Sequence, residues 1–300
     1  MNVIECSNLT KAYGRYKLLD SLSFTIKENT ITGLIGRNGA GKTTLLKIIA
    51  GYWHYTSGDI RVFSKKPFNN LFVSANTLFI DNQMSLPSSL SLREILETAG
   101  SFYENWDSDL AERLFNYFSF HPNQYHNHLS KGSKSTFNMI FGLCARAPLT
   151  IFDEPTTGMD AAVRKDFYRA LLKDYISHPR TIIISSHHLD EIEDLLENIL
   201  LLNKGKMLLH IPAQELKEWA ISLKGKKSVI ETFIHKMEIL HSLESGINEL
   251  EVVVKNTLTA EDIQELKLSG IDVSSVSSGD TAMYLTRSRK GGIDHVFNPS

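Results

Sequence analysis

Two apolar patterns alternate along most of this chain. The first is a short run of largely apolar, often β-branched residues: Thr30–Ile35, Thr77–Asp81, Leu149–Phe152 and Thr181–Ser185. Such runs predict strands buried on both faces, as in a parallel sheet. The second pattern spaces apolar residues three and four apart. It predicts helices over Leu45–Ala50, through Leu92, Ile95, Leu96 and Ala99, over Asp107–Phe118 through Leu110, Leu114 and Phe118, through Phe137, Ile140, Phe141, Leu143 and Cys144, and over Ala161–Ile176. Ser91, with Glu94 three residues on, forms a capping box at the start of one of them. Alternating strands and helices predict an α/β fold. Asn2–Leu9, Ser21–Ile26 and Gly58–Phe63 read as a separate, partly antiparallel layer, with Lys11–Leu19 as a turn-rich connection. A helix is expected near Asp190, a hairpin over Asn198–Leu202 and Lys206–His210 around Lys204-Gly205, and a helix over Gln214–Ala220.

After Ser222 the pattern changes, which divides the chain into residues 1–222 and a small α+β module over 223–300. Leu223–Lys227 is short and basic, as a linker would be. Helices are expected over Val229–Leu240, Ala260–Leu266 and Thr281–Leu285, and strands over Glu249–Val254 and Ile271–Val276. Two strands are marginal alone and need a covering layer, so the module is expected to pack on the larger domain or on its copy in a partner. The tail from Arg287 to Ser300 reads as disordered.

Composition narrows the classes. The formal charge of -2 gives no reason to expect nucleic acid. Cys6 and Cys144 lie in apolar segments, as core residues of a reducing cytoplasm do. No apolar stretch reaches the roughly 18–20 residues of a membrane span, and the N-terminus lacks a secretory pattern. The chain is expected to be soluble, with any membrane span supplied by another chain.

The candidate chemistry is concentrated at strand ends. Gly36-Arg37-Asn38-Gly39-Ala40-Gly41-Lys42-Thr43-Thr44 fits G-x-x-x-x-G-K-[ST], between a predicted strand and a predicted helix. Its glycines let backbone N–H groups turn toward a triphosphate; Lys42 reaches the β- and γ-phosphates, and the Thr43 hydroxyl suits Mg²⁺. Asp153 and Glu154 end an apolar strand, where one carboxylate can hold Mg²⁺ and the other can orient or deprotonate a water. Ser130 and Gly132 precede a helix, a weak anion site. His187 follows another strand end, where open α/β sheets bind ligands. Tyr13 and Tyr16 are equal candidates for stacking on adenine. His121, His126 and His128 lie close in sequence, but nothing completes a metal ligand set, so a polar loop is the better reading. The guanine-reading pattern Asn-Lys-x-Asp is missing after Asn203-Lys204.

Taken in order, these motifs resemble the ATP-binding cassette (ABC) ATPases over roughly residues 1 to 220. Gly36–Thr44 is similar to the Walker A loop, Leu129–Ser133 (LSKGS) to the signature, Leu149–Glu154 to Walker B with its catalytic glutamate, Thr157–Asp160 to the D-loop and His187 to the switch histidine. The resemblance selects Tyr13 as the adenine-stacking ring. It implies a core sheet with an antiparallel β subdomain and a helical signature subdomain over about 84–147. ATP and Mg²⁺ are the implied cofactors: Ser130, Lys131, Gly132 and Asp160 join the nucleotide site, and Thr43, Asp153 and a Q-loop residue face Mg²⁺. Two departures stand out. Lys131 and Ser133 replace the usual glycine and glutamine of the signature, and the Q-loop slot falls on Asn82 with Gln83 next to it. LSKG, DEPTTGMD and SSHHLDEIE look like bacterial export ATPases of the bacitracin-resistance and phenol-soluble-modulin type. The implied partners are a separate transmembrane permease, gripped beside Met84–Tyr103, and a second ATPase, identical or not. The implied location is the cytoplasmic face of the membrane. The alternative is a soluble cassette ATPase acting on ribosomes or DNA.

Overall fold

The computed structural model describes residues 1–245 and 248–287. The chain divides into two compact units, Met1–His210 and Ile211–Ser300.

In the first unit, β1 (Asn2–Tyr13) and β2 (Tyr16–Lys27) form one long hairpin. The segment expected to be turn-rich is strand up to the tip, where Gly14 takes a φ of 58°; register shifts along β1 let the pair twist without breaking. β3 (Ile31–Ile35) leads into α1 (Lys42–Ile49), followed by β4 (Ser57–Val62), α2 (Leu71–Asn76) and β5 (Thr77–Ile80). The helix α2 was not expected: it is short, and its cap is the Asn70 side chain accepting from Val73 N–H. Next come α3 (Leu92–Ala99), α4 (Ser108–Tyr117), α5 (Lys131–Ala145), β6 (Leu149–Asp153), α6 (Ala161–Ser177), β7 (Thr181–Ser186), β8 (Asn198–Asn203) and β9 (Lys206–Pro212). The Ser91–Glu94 capping box is present. In α4 the fully buried residues are Ala111 and Phe115, one position round from the expected stripe.

Six strands form the core sheet in the order β5-β6-β7-β3-β8-β9, with β5 through β8 pairing in parallel. β2-β1-β4 make a three-stranded antiparallel sheet. Between the two sheets lies α1, whose Leu45, Leu46, Ile48 and Ile49 join one core with Ile4, Leu22, Ile60, Leu34 and Ile151. The helix expected near Asp190 is only two short 3₁₀ turns, Leu189–Glu191 and Glu193–Leu195. Leu189 and Ile192 are buried three residues apart, which suits a three-residue turn, and β8 begins too soon for an α-helix to follow.

The second unit contains α7 (Ala213–Lys217), β10 (Ala220–Lys226), α8 (Lys227–Phe233), β11 (Ile239–Ser245), β12 (Glu249–Lys255), α9 (Ala260–Leu268), β13 (Asp272–Ser275) and α10 (Ser278–Thr286). The presumed linker Leu223–Lys227 is a correction: most of it belongs to β10, a central strand paired antiparallel with β12 and β13. The single helix expected over Val229–Leu240 ends at Phe233, and β11 follows as an edge strand. The sheet order β11-β12-β10-β13 with two crossing helices is a split β-α-β-β-α-β unit. Ile221, Leu223, Leu250, Val252 and Val254 pack with Ile230 of α8 and Leu266 of α9. The module thus has four strands and its own core, and the covering layer it needs comes from within it. Residues 288–300, most of the tail expected to be disordered, lie outside the described residues.

Candidate active site

The carboxyl ends of β3, β5, β6 and β7 meet at one edge of the core sheet, where open α/β sheets place their ligands. From β3 the chain enters Gly36–Gly41 and then α1. Gly41 has a φ of 106°, and a β-carbon there would lie 2.8 Å from Leu19 and 3.0 Å from the Leu18 carbonyl. Only glycine fits, which keeps the loop tight. Ala40 is buried, while Arg37, Asn38 and Thr43 are exposed. Ala40 C=O accepts from Gly205 N–H at 2.9 Å, tying the loop to the β8–β9 turn.

Lys42 opens α1 and is 6% exposed. Its Nζ donates to the Gly36 carbonyl at 2.6 Å and lies 3.0 Å from Glu154 Oε1. The second contact is one of charge and not an aligned hydrogen bond, because Oε1 is buried without a hydrogen-bond partner. The other carboxylate oxygen, Oε2, lies 2.8 Å from His187 Nδ1. Glu154 itself has a φ of 48°, left-handed for a non-glycine residue. Its backbone N–H donates to Ser185 Oγ at 2.9 Å.

Asp153 ends β6, 4% exposed. Its Oδ2 accepts from Thr43 Oγ1 at 2.6 Å and its Oδ1 from Ser185 Oγ at 2.5 Å. A hydroxyl and a carboxylate this close make a small set of hard oxygen donors. Mg²⁺ uses such sets, taking one or two protein oxygens and completing its shell with phosphate and water. The residues fit a Mg²⁺–triphosphate: a glycine-tightened loop, a buried ammonium, an orphaned carboxylate oxygen and the Thr43–Asp153 pair.

Asn82 follows β5. Its Nδ2 donates to the Glu154 carbonyl at 3.3 Å, and its Oδ1 accepts from Ser135 Oγ at 3.1 Å. Gln83 gives its backbone N–H to Asp81 Oδ1, and its side chain is exposed. The structure thus ties the Asn82 side chain to the Glu154 carbonyl and to Ser135, while both Asn82 and Gln83 remain exposed. Tyr13 and Tyr16 face each other across the hairpin tip, both exposed, with the Lys11 ammonium 4.7 Å from the Tyr13 ring.

The Ser130–Gly132 segment lies at the start of α5. Ser130 caps α5 by accepting from Ser133 N–H at 3.2 Å. Gly132 touches the D-loop of its own chain: a β-carbon there would meet the Gly158 carbonyl at 2.4 Å. Asp160 caps α6, its Oδ1 accepting from Ala162 and Val163 N–H at 2.9 Å. The histidine loop divides. His126 is buried with Nε2 2.7 Å from Asn138 Oδ1, and burial holds its pKa below the usual value. Among the described residues no three His, Cys, Asp or Glu side chains converge as a metal site. Cys6 and Cys144 are buried thiols, and burial pushes Cys6 up to about 12.

Sequence reasoning missed Ser185 and Ser135. Ser185 bonds to Asp153 at the end of β6 and to the N–H of Glu154 just after it; the available signal was a pair of serines closing a strand of threonine and isoleucines.

Comparison with known proteins shows the family. The family model described as ABC transporter matches residues 19–157. The chain is 30% identical over 236 residues to the bacitracin transport ATP-binding protein BcrA of Bacillus licheniformis, covering 72% of each chain. It is 28% identical over 227 residues to the SkfA peptide export ATP-binding protein SkfE of Bacillus subtilis, covering 73% of this chain and 94% of that one. A solved ATP-binding subunit of an ABC transporter superposes with a TM-score of 0.63 at 22% identity, over 72% of this chain and 92% of the other. A relative 30% identical over 72% of both chains shows the family: the chain belongs to the ATP-hydrolysing ATP-binding proteins of ABC transporters.

Proposed function

We propose that this chain is the motor of a bacterial exporter, working as one of two paired cassettes at the cytoplasmic face of a separate membrane permease. The observation that carries the reading is the convergence of Lys42, Thr43, Asp153, Glu154 and His187 at one sheet edge. Export of peptides, antibiotics or other amphipathic compounds is supported by the similarity to proteins named for bacitracin transport and for peptide export. No helix among the described residues is long and apolar enough to cross a membrane, so the membrane-crossing part falls to the permease.

In this reading the amides of Gly36–Thr44 and the Lys42 ammonium hold the phosphates, and Tyr13 stacks on adenine. Thr43 and Asp153, with Asn82, hold Mg²⁺, which neutralises charge developing on the phosphates. Glu154 orients the attacking water and takes up its proton; His187 steadies the Glu154 carboxylate and stands ready for the γ-phosphate. Ser130, Lys131 and Gly132 serve the nucleotide of the paired cassette.

The test has two arms. Lys42→Ala removes the charge held against the phosphates, and ATP turnover should collapse with the fold intact by circular dichroism. Co-expression with a neighbouring membrane-protein gene should bring the wild-type chain into the membrane fraction. Wild-type hydrolysis in Lys42→Ala refutes the site assignment. Sedimentation with ribosomes or retention on DNA, with none in membranes, refutes the exporter reading.

A further inference from the structure

We infer that Ser135 is a positioning residue for the ATPase reaction, sharing its single hydroxyl proton between Asn82 and the D-loop. The inference rests on the proposed roles of Asn82 and Glu154. Serine and threonine hydroxyls inside helices often bond back to the carbonyl four residues earlier. Thr136 does so, donating to the Gly132 carbonyl at 3.0 Å. Ser135, its neighbour on α5, reaches out of the helix instead. Its Oγ lies 2.9 Å from the Thr157 carbonyl and 3.1 Å from Asn82 Oδ1.

These contacts close a ring. Asn82 Nδ2 donates to the Glu154 carbonyl. Thr157 donates to the same carbonyl through its N–H at 3.3 Å and its hydroxyl at 2.9 Å. Ser135 bridges the far side. The ring therefore joins the segment after β5, the segment after β6 and the first turns of α5, and it passes through the backbone of the proposed catalytic glutamate. Ser135 is 4% exposed, so water does not readily replace its bonds.

A serine hydroxyl has one proton and here two acceptors. When the proton goes to Asn82 Oδ1, it takes one of that oxygen's two lone pairs and the side chain is held against Glu154. When it goes to the Thr157 carbonyl, Asn82 Oδ1 is free to serve as an oxygen ligand for a hard cation. Ser135 thus links the helix that carries the signature to the availability of Asn82, without touching nucleotide itself.

The test uses the full chain with Ser135→Ala, Ser135→Thr, Asn82→Ala and the Ser135→Ala/Asn82→Ala pair. Loss of one hydrogen bond at a positioning site should lower kcat by about five- to tenfold with little change in KM for ATP. Ser135→Thr, which keeps the hydroxyl, should recover most of kcat. In the Asn82→Ala background, Ser135→Ala should have almost no further effect, because residues acting through one another are non-additive. In the nucleotide-free chain, Ser135→Ala should raise amide hydrogen exchange over both 81–84 and 155–158. Multiplicative losses in the pair, exchange unchanged in both segments, or full kcat in Ser135→Ala overturn the inference while Asn82 keeps its role. Full kcat in Asn82→Ala removes that role and the inference with it.

Discussion

Replacing Glu154 by glutamine separates two effects of one carboxylate. Its Oε1 lies 3.0 Å from the Lys42 ammonium, with side-chain exposures of 22% for Glu154 and 6% for Lys42. The pair is shielded but not dry. Two unit charges at this separation attract by about 5 kcal/mol at an effective dielectric constant of about 20. Desolvation of the two ions cancels most of this, leaving a net attraction of about 1–2 kcal/mol. In the proposed site a triphosphate would draw Lys42 away from Glu154, so the attraction would oppose ATP binding. Glutamine keeps the shape and deletes the charge. The variant should bind ATP about five- to thirtyfold more tightly, and relief of repulsion between carboxylate and triphosphate acts in the same direction. Turnover should fall by about 10²–10⁴, because an amide does not take up the proton of an attacking water. The assay is a fluorescence titration with ATP and Mg²⁺ at two ionic strengths, with phosphate release measured on the same samples. Unchanged affinity in Glu154→Gln would show that Lys42 is not held by Glu154. Undiminished phosphate release would remove Glu154 from the chemistry.

Gly132→Ala places a β-carbon 2.4 Å from the Gly158 carbonyl and 3.2 Å from its carbon, both backbone atoms. Overpacking against backbone should cost about 1–3 kcal/mol and shift the D-loop; thermal melting checks it, and an unchanged melting temperature refutes the contact. His126 is held below its ordinary value of 6.5 chiefly by burial, with a smaller contribution from Lys134 and an opposing one from the Asn138 hydrogen bond. The unfolded chain therefore takes up a proton below about pH 6.5 that the folded chain refuses, and stability falls as pH drops through that range. His126→Gln should flatten the melting temperature between about pH 5 and 7. His210 and His241 are lowered as well and leave a residual slope, so only an identical profile in the variant counts against the argument.

Legibility of the fold followed from how much of each element's pattern is set by its own burial. β3, β6 and β7 are buried along their whole length and read directly as strands. β10 did not. Its inward residues are Ile221, Leu223 and Gly225, and its lower half alternates Lys, Gly and Lys, which in one dimension is indistinguishable from a basic linker. What makes it a central strand is pairing with β12 and β13, both later in the chain. β11 escaped for a related reason. As an edge strand with Ile239 and Leu243 half exposed, it lacks the alternation that a covered face imposes.

The site divides along the same line. Lys42, Asp153, Glu154 and His187 were legible because each ends or follows a recognisable strand or loop, and the topology then brings those ends together. Counting positions favoured Asn82 over Gln83 only slightly, since adjacent residues after a strand differ mainly in which way they point. The bond from Asn82 to the Glu154 carbonyl, against Gln83 with only its N–H engaged, is a matter of direction that spacing does not encode. Ser135, Ser185 and the Thr157 carbonyl were less visible still. Single hydroxyls carry no period, and a backbone carbonyl is the same in every residue. Their positions follow only from where α5 and β7 lie against β6, so the groups that hold the end of β6 in place are the ones a linear reading passes over.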